Sequence, residues 1–563
     1  MPAGQKLEDV KPHYPVLIIG AGINGCGTFR DLCLQGVNCL LIDRGDVCEG
    51  ASAAPSRLIH GGIKYLETGE FRLVRESAME RNRLLRNAPH YVKPLETVLP
   101  VHSWLGSIIP SALRFLGLKA KLKDRGAAIT ELGLRIYDAY NRKVAALPGH
   151  RFLGARKLRK EYPAFDERII AAGLYYEGRI THAERLGLEL VMDGVEANPG
   201  SALCTYVCAA EGDTPGELRL TDQITGEARI VSADIIINAG GAWIDKVNSG
   251  LGLRTRHMGG SKGSHLIVDN PQLLQALKGR MIYFGTADGR VNLVYPFFGH
   301  VLVGSTDIPV ADPDEAFCSA QEAEYLLAIV GEIFPRIKLD AAQILLSYCG
   351  VRPLPRSDGQ EIGTVSRDHA IARDPIAGMK HPVLSLIGGK WTTFRAFSAQ
   401  ATDDVLQLLG RPRLTSTEDL PIGGGRGYPA TLEAQRIWEL RLTAANGVSP
   451  QRAQVLLERY GTAAEKVARF IGAEPEAMLA TLPGYSSAEI SYLCHEEPVR
   501  RLSDLLFRRT TMAMEGFLSP AAINEVAAIA VSRMGWSDER MRQEIAHAMA
   551  ALNHRLPQCS AVH

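Results

Sequence analysis

Three glycines and one carboxylate set the first chemical constraint. Gly20, Gly22 and Gly25 form G-x-G-x-x-G, and Asp43 follows the first of them at the roughly twenty-residue separation of a ribose-binding acid. Without Cβ atoms such a turn is tight, and a pyrophosphate can approach the amides that open the next helix. A carboxylate at that distance accepts both hydroxyls of an adenosine ribose. The pattern binds a dinucleotide and leaves NAD and FAD both open.

The elements that must position these residues are legible around them. Residues 16–19 (VLII) are apolar without alternation, as in a parallel strand buried on both faces. Phe29, Leu32 and Cys33 fall at helical spacing, and Gly36 stands where a helix stops. Residues 39–42 (CLLI) form a second apolar run ending on Asp43. Strand, helix, strand and acid together predict a βαβ unit.

Length and composition bound the rest. A chain of 563 residues supports two or three domains. Charged residues make up 22% and nearly cancel to +1, which argues against a nucleic-acid partner. The ten cysteines include no C-x-x-C pair and read as reduced, small apolar side chains rather than metal ligands or disulfides. Residues 1–15 lack an apolar h-region and carry acidic residues, so neither a signal nor a transit peptide is expected. No stretch of eighteen uninterrupted apolar residues predicts a membrane span.

After Asp43 the chain departs from a simple nicotinamide domain. Ser52 and Ser56 lie in a small-residue stretch before Gly61-Gly62, a loop able to line a cofactor. SRLIHGGIKYLETGEFRLVRE (56–76) resembles the signature S-K-L-I-H-G-G-L-R-Y-L-E of the FAD-dependent glycerol-3-phosphate dehydrogenases. IINAGGAW (236–243), SKGSH (261–265), VGSTD (303–307), YCGVRPL (348–354), GGKWTTFR (388–395) and RRLSDLLFRRT (500–510) match in order, so the likeness covers nearly the whole chain.

The resemblance implies an α/β fold: an FAD-binding Rossmann-like domain with an interleaved antiparallel-sheet substrate domain, plus a C-terminal all-α domain. The expected FAD-binding segments lie near 14–100, 165–260 and 345–410, and the substrate or cap segments near 101–164 and 261–344. Residues 411–429 read as a linker and 430–563 as the helical domain. Residues 203–231 and 291–304 read as antiparallel hairpins suited to a substrate-side sheet. Ser319 and Glu322 form a capping box. Ser449-Pro450 and Ser519-Pro520 place caps before N1 prolines, and Met541, Ile545, Ala548 and Leu552 form one stripe.

The resemblance also implies roles. Gly20, Gly22, Gly25, Asp43, Ser52, Ser56, Gly240, Gly389 and Thr392 would hold FAD. His60, before two glycines, is the candidate proton acceptor, with a flavin-contacting role as the alternative; His265 and His369 are further candidates. Arg352 and Lys390, and more weakly Arg367, would hold a substrate phosphate, with Lys64 and Tyr65 nearby. Lys390 is read as opening a helix that Thr392 and Thr393 can cap. Three departures put the exact polyol phosphate in doubt: Lys64 replaces the usual Arg, Pro55 interrupts a serine-rich stretch, and ITHAERL (180–186) lacks the usual opening carboxylate.

The implied reaction is oxidation of sn-glycerol 3-phosphate to dihydroxyacetone phosphate, with electrons passed to a quinone. Erythritol phosphate as substrate, an oxygen-reducing oxidase, and a flavin-bearing binding protein are the competing readings. WLGSIIPSALRFLGLKAKLK (104–123) mixes apolar side chains with Arg114, Lys119, Lys121 and Lys123. It reads either as a packed helix or as a surface lying in an anionic bilayer. The family likeness favours peripheral attachment at the cytoplasmic face of a bacterial inner membrane, with a cytoplasmic protein as the alternative and a homodimer left open.

Overall fold

The computed structural model describes residues 4–63, 70–104, 126–141, 147–286, 290–356, 368–473 and 476–557. Lys64, Tyr65, Arg367 and nearly all of 104–123 lie outside these residues. The first nine strands are β1 (His13–Ile19), β2 (Cys39–Asp43), β3 (Leu58–Ile59), β4 (Val92–Val101), β5 (Arg151–Gly154), β6 (Ala171–Ile180), β7 (Ala202–Thr205), β8 (Val207–Glu211) and β9 (Glu217–Asp222). They are followed by β10 (Ala228–Asn238), β11 (Ser261–Val268), β12 (Met281–Gly285), β13 (Val291–Phe297), β14 (His300–Gly304), β15 (Ile308–Pro309), β16 (Ile344–Arg352), β17 (Ala370–Asp374) and β18 (Val383–Ile387).

Two sheets result. The first runs β17-β18-β10-β1-β2-β7, with β8 and β9 extending from β10. Its centre is parallel: Val16 pairs with Cys39 on one side and Ile235 on the other. Helix α1 (Ile23–Leu34) packs on it with Phe29, Leu32 and Cys33 buried, as their spacing requires. The second sheet runs β15-β11-β14-β13-β12-β4-β6-β3, with β16 on β11 and β5 on β6.

Sheet membership differs from the sequence reading in two places. The 203–231 hairpin, read as suited to a substrate-side sheet, belongs to the first sheet, in keeping with the 165–260 segment, because β10 is long enough to pair with β1 and β9 at once. Conversely β3, β4, β6 and β16, expected with the dinucleotide segments, lie in the second sheet. The 291–304 hairpin turns through Phe298 and Gly299, both at positive φ (48° and 79°), as a two-residue turn between twisted strands demands.

The C-terminal residues are helical, from Leu432–Asn446 to Asp538–His554. Ser449 and Ser519 accept from the Arg452 and Ala522 amides ahead of their N1 prolines, and the Ser319–Glu322 capping box is present. Ala548 is buried in the helical core, with Met541, Ile545 and Leu552 packed against it. Residues 411–429 are laid firmly on the first domain. Arg413 pairs with Asp31 at 2.8 Å, and Arg30 donates to the Pro421 carbonyl at 2.6 Å.

The helical domain is fastened to the first by buried charge. Asp46, fully buried, accepts from Arg508 at 2.6 Å and from Arg509 at 2.7 and 2.8 Å. Burial alone would raise the Asp46 pKa; Arg509 and Arg508 outweigh it and hold the carboxyl below its ordinary value.

Candidate active site

The carboxyl end of β1 carries the glycine cradle. Gly20 has φ +109°, and a Cβ there would lie 2.6 Å from the Ala239 carbonyl oxygen. A Cβ on Gly25 would lie 1.8 Å from the Gly20 carbonyl oxygen, so the first turn of α1 rests directly on the strand end. Gly22 is the N-cap of α1 and supplies no side-chain cap. Ser52 Oγ accepts from the Ile23 amide at 2.9 Å instead. Gly240, beyond β10, lies beside Gly20 because Ile19 and Asn238 are in register.

Asp43 ends β2. Its Oδ2 accepts from the Ala21 amide at 2.6 Å and its Oδ1 from the Gly45 amide at 2.8 Å. Burial pushes its pKa up to about 6 against the pull of those amides. Each carboxylate oxygen keeps a further lone pair, the acceptor capacity a ribose diol needs. A Cβ-free cradle, helix-opening amides and a half-buried acid at the switch point between β10 and β2 fit a dinucleotide pyrophosphate and ribose.

A second glycine turn follows β18. Gly388 and Gly389 have φ +80° and +90°, and a Cβ on Gly389 would lie 2.7 Å from Asn24 Nδ2. This turn therefore packs on the start of α1, where Asn24 Nδ2 donates to the Gly388 carbonyl at 3.3 Å. Asn24 Oδ1 is buried without a hydrogen-bond partner among the described residues. The helix expected to open at Lys390 begins at Phe394. Two left-handed glycines and the turn closed by Thr393 N on the Lys390 carbonyl, at 3.1 Å, delay it. Neither threonine caps it: Thr393 Oγ1 is buried without a partner among the described residues, and Thr392 Oγ1 accepts from the His60 amide at 3.1 Å.

That last contact joins the two halves of the site. His60 is half-buried at the end of β3, in the second sheet, while Thr392 follows the first. Trp391 Nε1 donates to the Ser52 carbonyl at 3.2 Å, and Lys390 Nζ to Ser77 Oγ at 3.4 Å on helix α2 (Phe71–Asn87).

Arg352 ends β16, opposite Ser261. Its Nη1 reaches Asp307 Oδ1 at 2.9 Å and the Lys262 carbonyl at 3.2 Å, and its Nη2 reaches the Thr306 carbonyl at 2.9 Å. Ser56 Oγ lies 2.8 Å from His265 Nε2, on β11 of the second sheet. His265 stacks on Tyr348 with centroids 5.0 Å apart. Burial, with Arg352 and Arg57 beside it, pushes its pKa down to about 3, so the ring is neutral. His369 packs on Phe397, its Nδ1 3.9 Å from Asp368.

Sequence reasoning passed over several residues of this region. Arg57 and Glu184 form a buried bidentate pair at 2.5 and 2.8 Å, with Arg57 at φ 56°. Arg57 stands inside the signature stretch, so its place was visible though its partner was not. Asn24 and Asp307 stand inside the glycine motif and the VGSTD stretch, and Glu177 in neither; the contacts of all three join segments far apart in the chain and were not visible. The described cysteines are free, and no group of metal-ligating side chains occurs among the described residues.

Residues 15–394 match the family described as FAD dependent oxidoreductase, and 415–541 the C-terminal domain of alpha-glycerophosphate oxidase. A glycerol-3-phosphate dehydrogenase from Synechocystis sp. is 32% identical over 94% of this chain and 95% of its own. A D-erythritol 1-phosphate dehydrogenase from Brucella abortus is 30% identical over 88% and 93%. In fold, the FAD complex of a Bacillus halodurans glycerol-3-phosphate dehydrogenase superposes with a TM-score of 0.75, at 21% identity, over 99% of this chain and 98% of that one. By these matches over both of its parts, the chain belongs to the FAD-dependent glycerol-3-phosphate dehydrogenase family and takes FAD as its cofactor.

Proposed function

We propose that the protein oxidises sn-glycerol 3-phosphate to dihydroxyacetone phosphate and passes the electrons to a quinone. The observation that carries this reading is the hydrogen bond from the His60 amide to Thr392 Oγ1, which ties the candidate base to the turn bearing Lys390. FAD, when bound, accepts a hydride from the substrate carbon. The chain's own residues do the rest. Gly20, Gly22, Gly25 and Asp43 hold the pyrophosphate and ribose, with Ser52 capping the helix that opens there and Gly240 beside it. Gly389 and Thr392 shape the second turn. His60 takes the hydroxyl proton. Arg352 and Lys390, with Lys64, Tyr65 and Arg367 from the family pattern, hold the phosphate dianion.

Ser56 supports this arrangement through His265, which is neutral and therefore adds no charge near Arg352. The Brucella relative and the Lys64 departure favour one alternative, a longer polyol phosphate such as erythritol phosphate. Peripheral membrane attachment draws support from Trp104, Leu132 and Ile136, which are large, apolar and exposed on or beside the helix Ala127–Asn141. Among the described residues no helix is long and apolar enough to cross a membrane.

Anaerobic mixing with candidate polyol phosphates, followed by reoxidation with a quinone analogue or oxygen, tests the reading. Bleaching of the flavin by glycerol 3-phosphate and faster reoxidation by quinone are expected. Bleaching only by a longer polyol phosphate would move the substrate, reoxidation mainly by oxygen would make the protein an oxidase, and no bleaching by any phosphorylated polyol would end the proposal.

A further inference from the structure

The loop that carries His60 is gripped from both sides. Thr392 Oγ1 takes the His60 amide, and Glu177 Oε2, on β6, takes the next amide, that of Gly61, at 2.8 Å. Glu177 is itself held. Arg81 Nη1, from α2, donates to Oε2 at 2.9 Å, and the Tyr137 hydroxyl, from the helix Ala127–Asn141, lies 3.0 and 3.1 Å from the two oxygens. Arg81 also donates to the Tyr137 hydroxyl. All three side chains are buried.

Gly61 packs directly on this cluster. A Cβ on Gly61 would lie 2.0 Å from the Tyr137 hydroxyl oxygen and 3.0 Å from Arg81 Nη1. Helix α2 carries Arg81 to Glu177 and, one turn earlier, Ser77 to Lys390. One helix thus reaches both the His60 loop and the lysine turn. A buried carboxylate that takes a single loop amide while a cation and a phenol complete its shell fixes that amide's position more firmly than a loop alone can.

We propose that Glu177 is a positioning residue for His60, acting through the Gly61 amide with Arg81 and Tyr137 as its supports. This rests on the assignment of His60 as proton acceptor. Displacing a catalytic group by about 1 Å costs on the order of 10²-fold in rate, so an effect on flavin reduction and not on substrate affinity is the expected signature.

The experiment is a double-mutant cycle on the FAD-loaded enzyme, read by anaerobic flavin reduction across glycerol 3-phosphate concentrations. Glu177→Gln is expected to slow the limiting reduction rate roughly 10- to 100-fold with the apparent substrate Kd unchanged. His60→Ala alone is expected to slow it by roughly 10² to 10⁴, and adding Glu177→Gln to His60→Ala should slow it no further. Tyr137→Phe, which removes one hydroxyl and keeps the carboxylate, should give a smaller loss that also vanishes in the His60→Ala background. It decides the matter by the same comparison if Glu177→Gln does not fold. Losses that multiply with His60→Ala, a change in Kd alone, or no change would overturn the proposal while leaving His60 its role. A His60→Ala enzyme with undiminished reduction would overturn the His60 assignment and the proposal with it.

Discussion

Arg352 Nη1 lies 2.9 Å from Asp307 Oδ1, so the cation proposed for the substrate phosphate is already matched by a carboxylate. Both side chains are about a quarter exposed, at 22% and 24%. Their pairing, with the Lys262 and Thr306 carbonyls, fixes the guanidinium fork in place. The Arg352→Ala variant should keep FAD and lose most kcat/KM for glycerol 3-phosphate, since truncating such a charge typically costs about 2 to 5 kcal/mol. Adding Asp307→Asn removes the orphaned carboxylate. It should recover thermal stability but not kcat/KM; recovery of both would make Arg352 a structural partner of Asp307.

Asp43, the acid proposed for the ribose, should couple FAD binding to pH. Its carboxyl, raised by burial to about 6 from 3.8, is protonated more readily in the folded chain than in the unfolded one. Its contribution to apoprotein stability is therefore present below the unfolded value and is lost as pH rises through about 6. FAD binding should run the other way, because the ionised form accepts both ribose hydroxyls. Retention of FAD should rise across pH 5 to 7, and Asp43→Asn should flatten that rise. Flavin fluorescence released on dilution at each pH measures it, and a wild-type profile as flat as the variant's would remove Asp43 from the ribose site.

Asp46 should be the costliest single residue of the domain seam. Removing it takes away the carboxylate that the buried Arg508 and Arg509 share, leaving Arg508 its bond to Asp504, and breaking a buried pair in this way costs about 3 to 5 kcal/mol. Asp46→Ala should lower the denaturant midpoint and split the transition if the helical domain then melts separately. Because the Asp46 pKa is depressed, this stabilisation is present above the ordinary carboxylate value of 3.8 and fades as pH falls through the lower folded value. A midpoint within error of wild type at pH 7 would show the seam to be held by other contacts.

Membrane attachment has its own test. Replacing Trp104, Leu132 and Ile136 with serine should reduce co-sedimentation with anionic vesicles, and glutamate at Lys119, Lys121 and Lys123 should do so at low salt. Each basic group near such a surface is worth roughly 1 kcal/mol. Unchanged sedimentation by both variants would leave the exposed apolar face without a lipid role.

The dinucleotide half of this protein was readable because its chemistry is local. Gly20, Gly25 and Asp43 work through a strand, a turn and a helix contiguous in sequence, and a Cβ at either glycine would collide with backbone. Family likeness supplied His60, Arg352 and Lys390 as single letters. What surrounds them was settled only by tertiary pairing: β15 and β16, both beside β11, bring Asp307 to Arg352, and β6 beside β3 brings Glu177 to Gly61. The same holds for Ser56, whose hydroxyl meets His265 more than two hundred residues away, and for the helix after β18, which two left-handed glycines start late at Phe394. Side-chain periodicity reports which face of an element is buried. It carries no information about which distant strand that face will meet, and in this fold those meetings place the charges around the candidate base and the phosphate clamp.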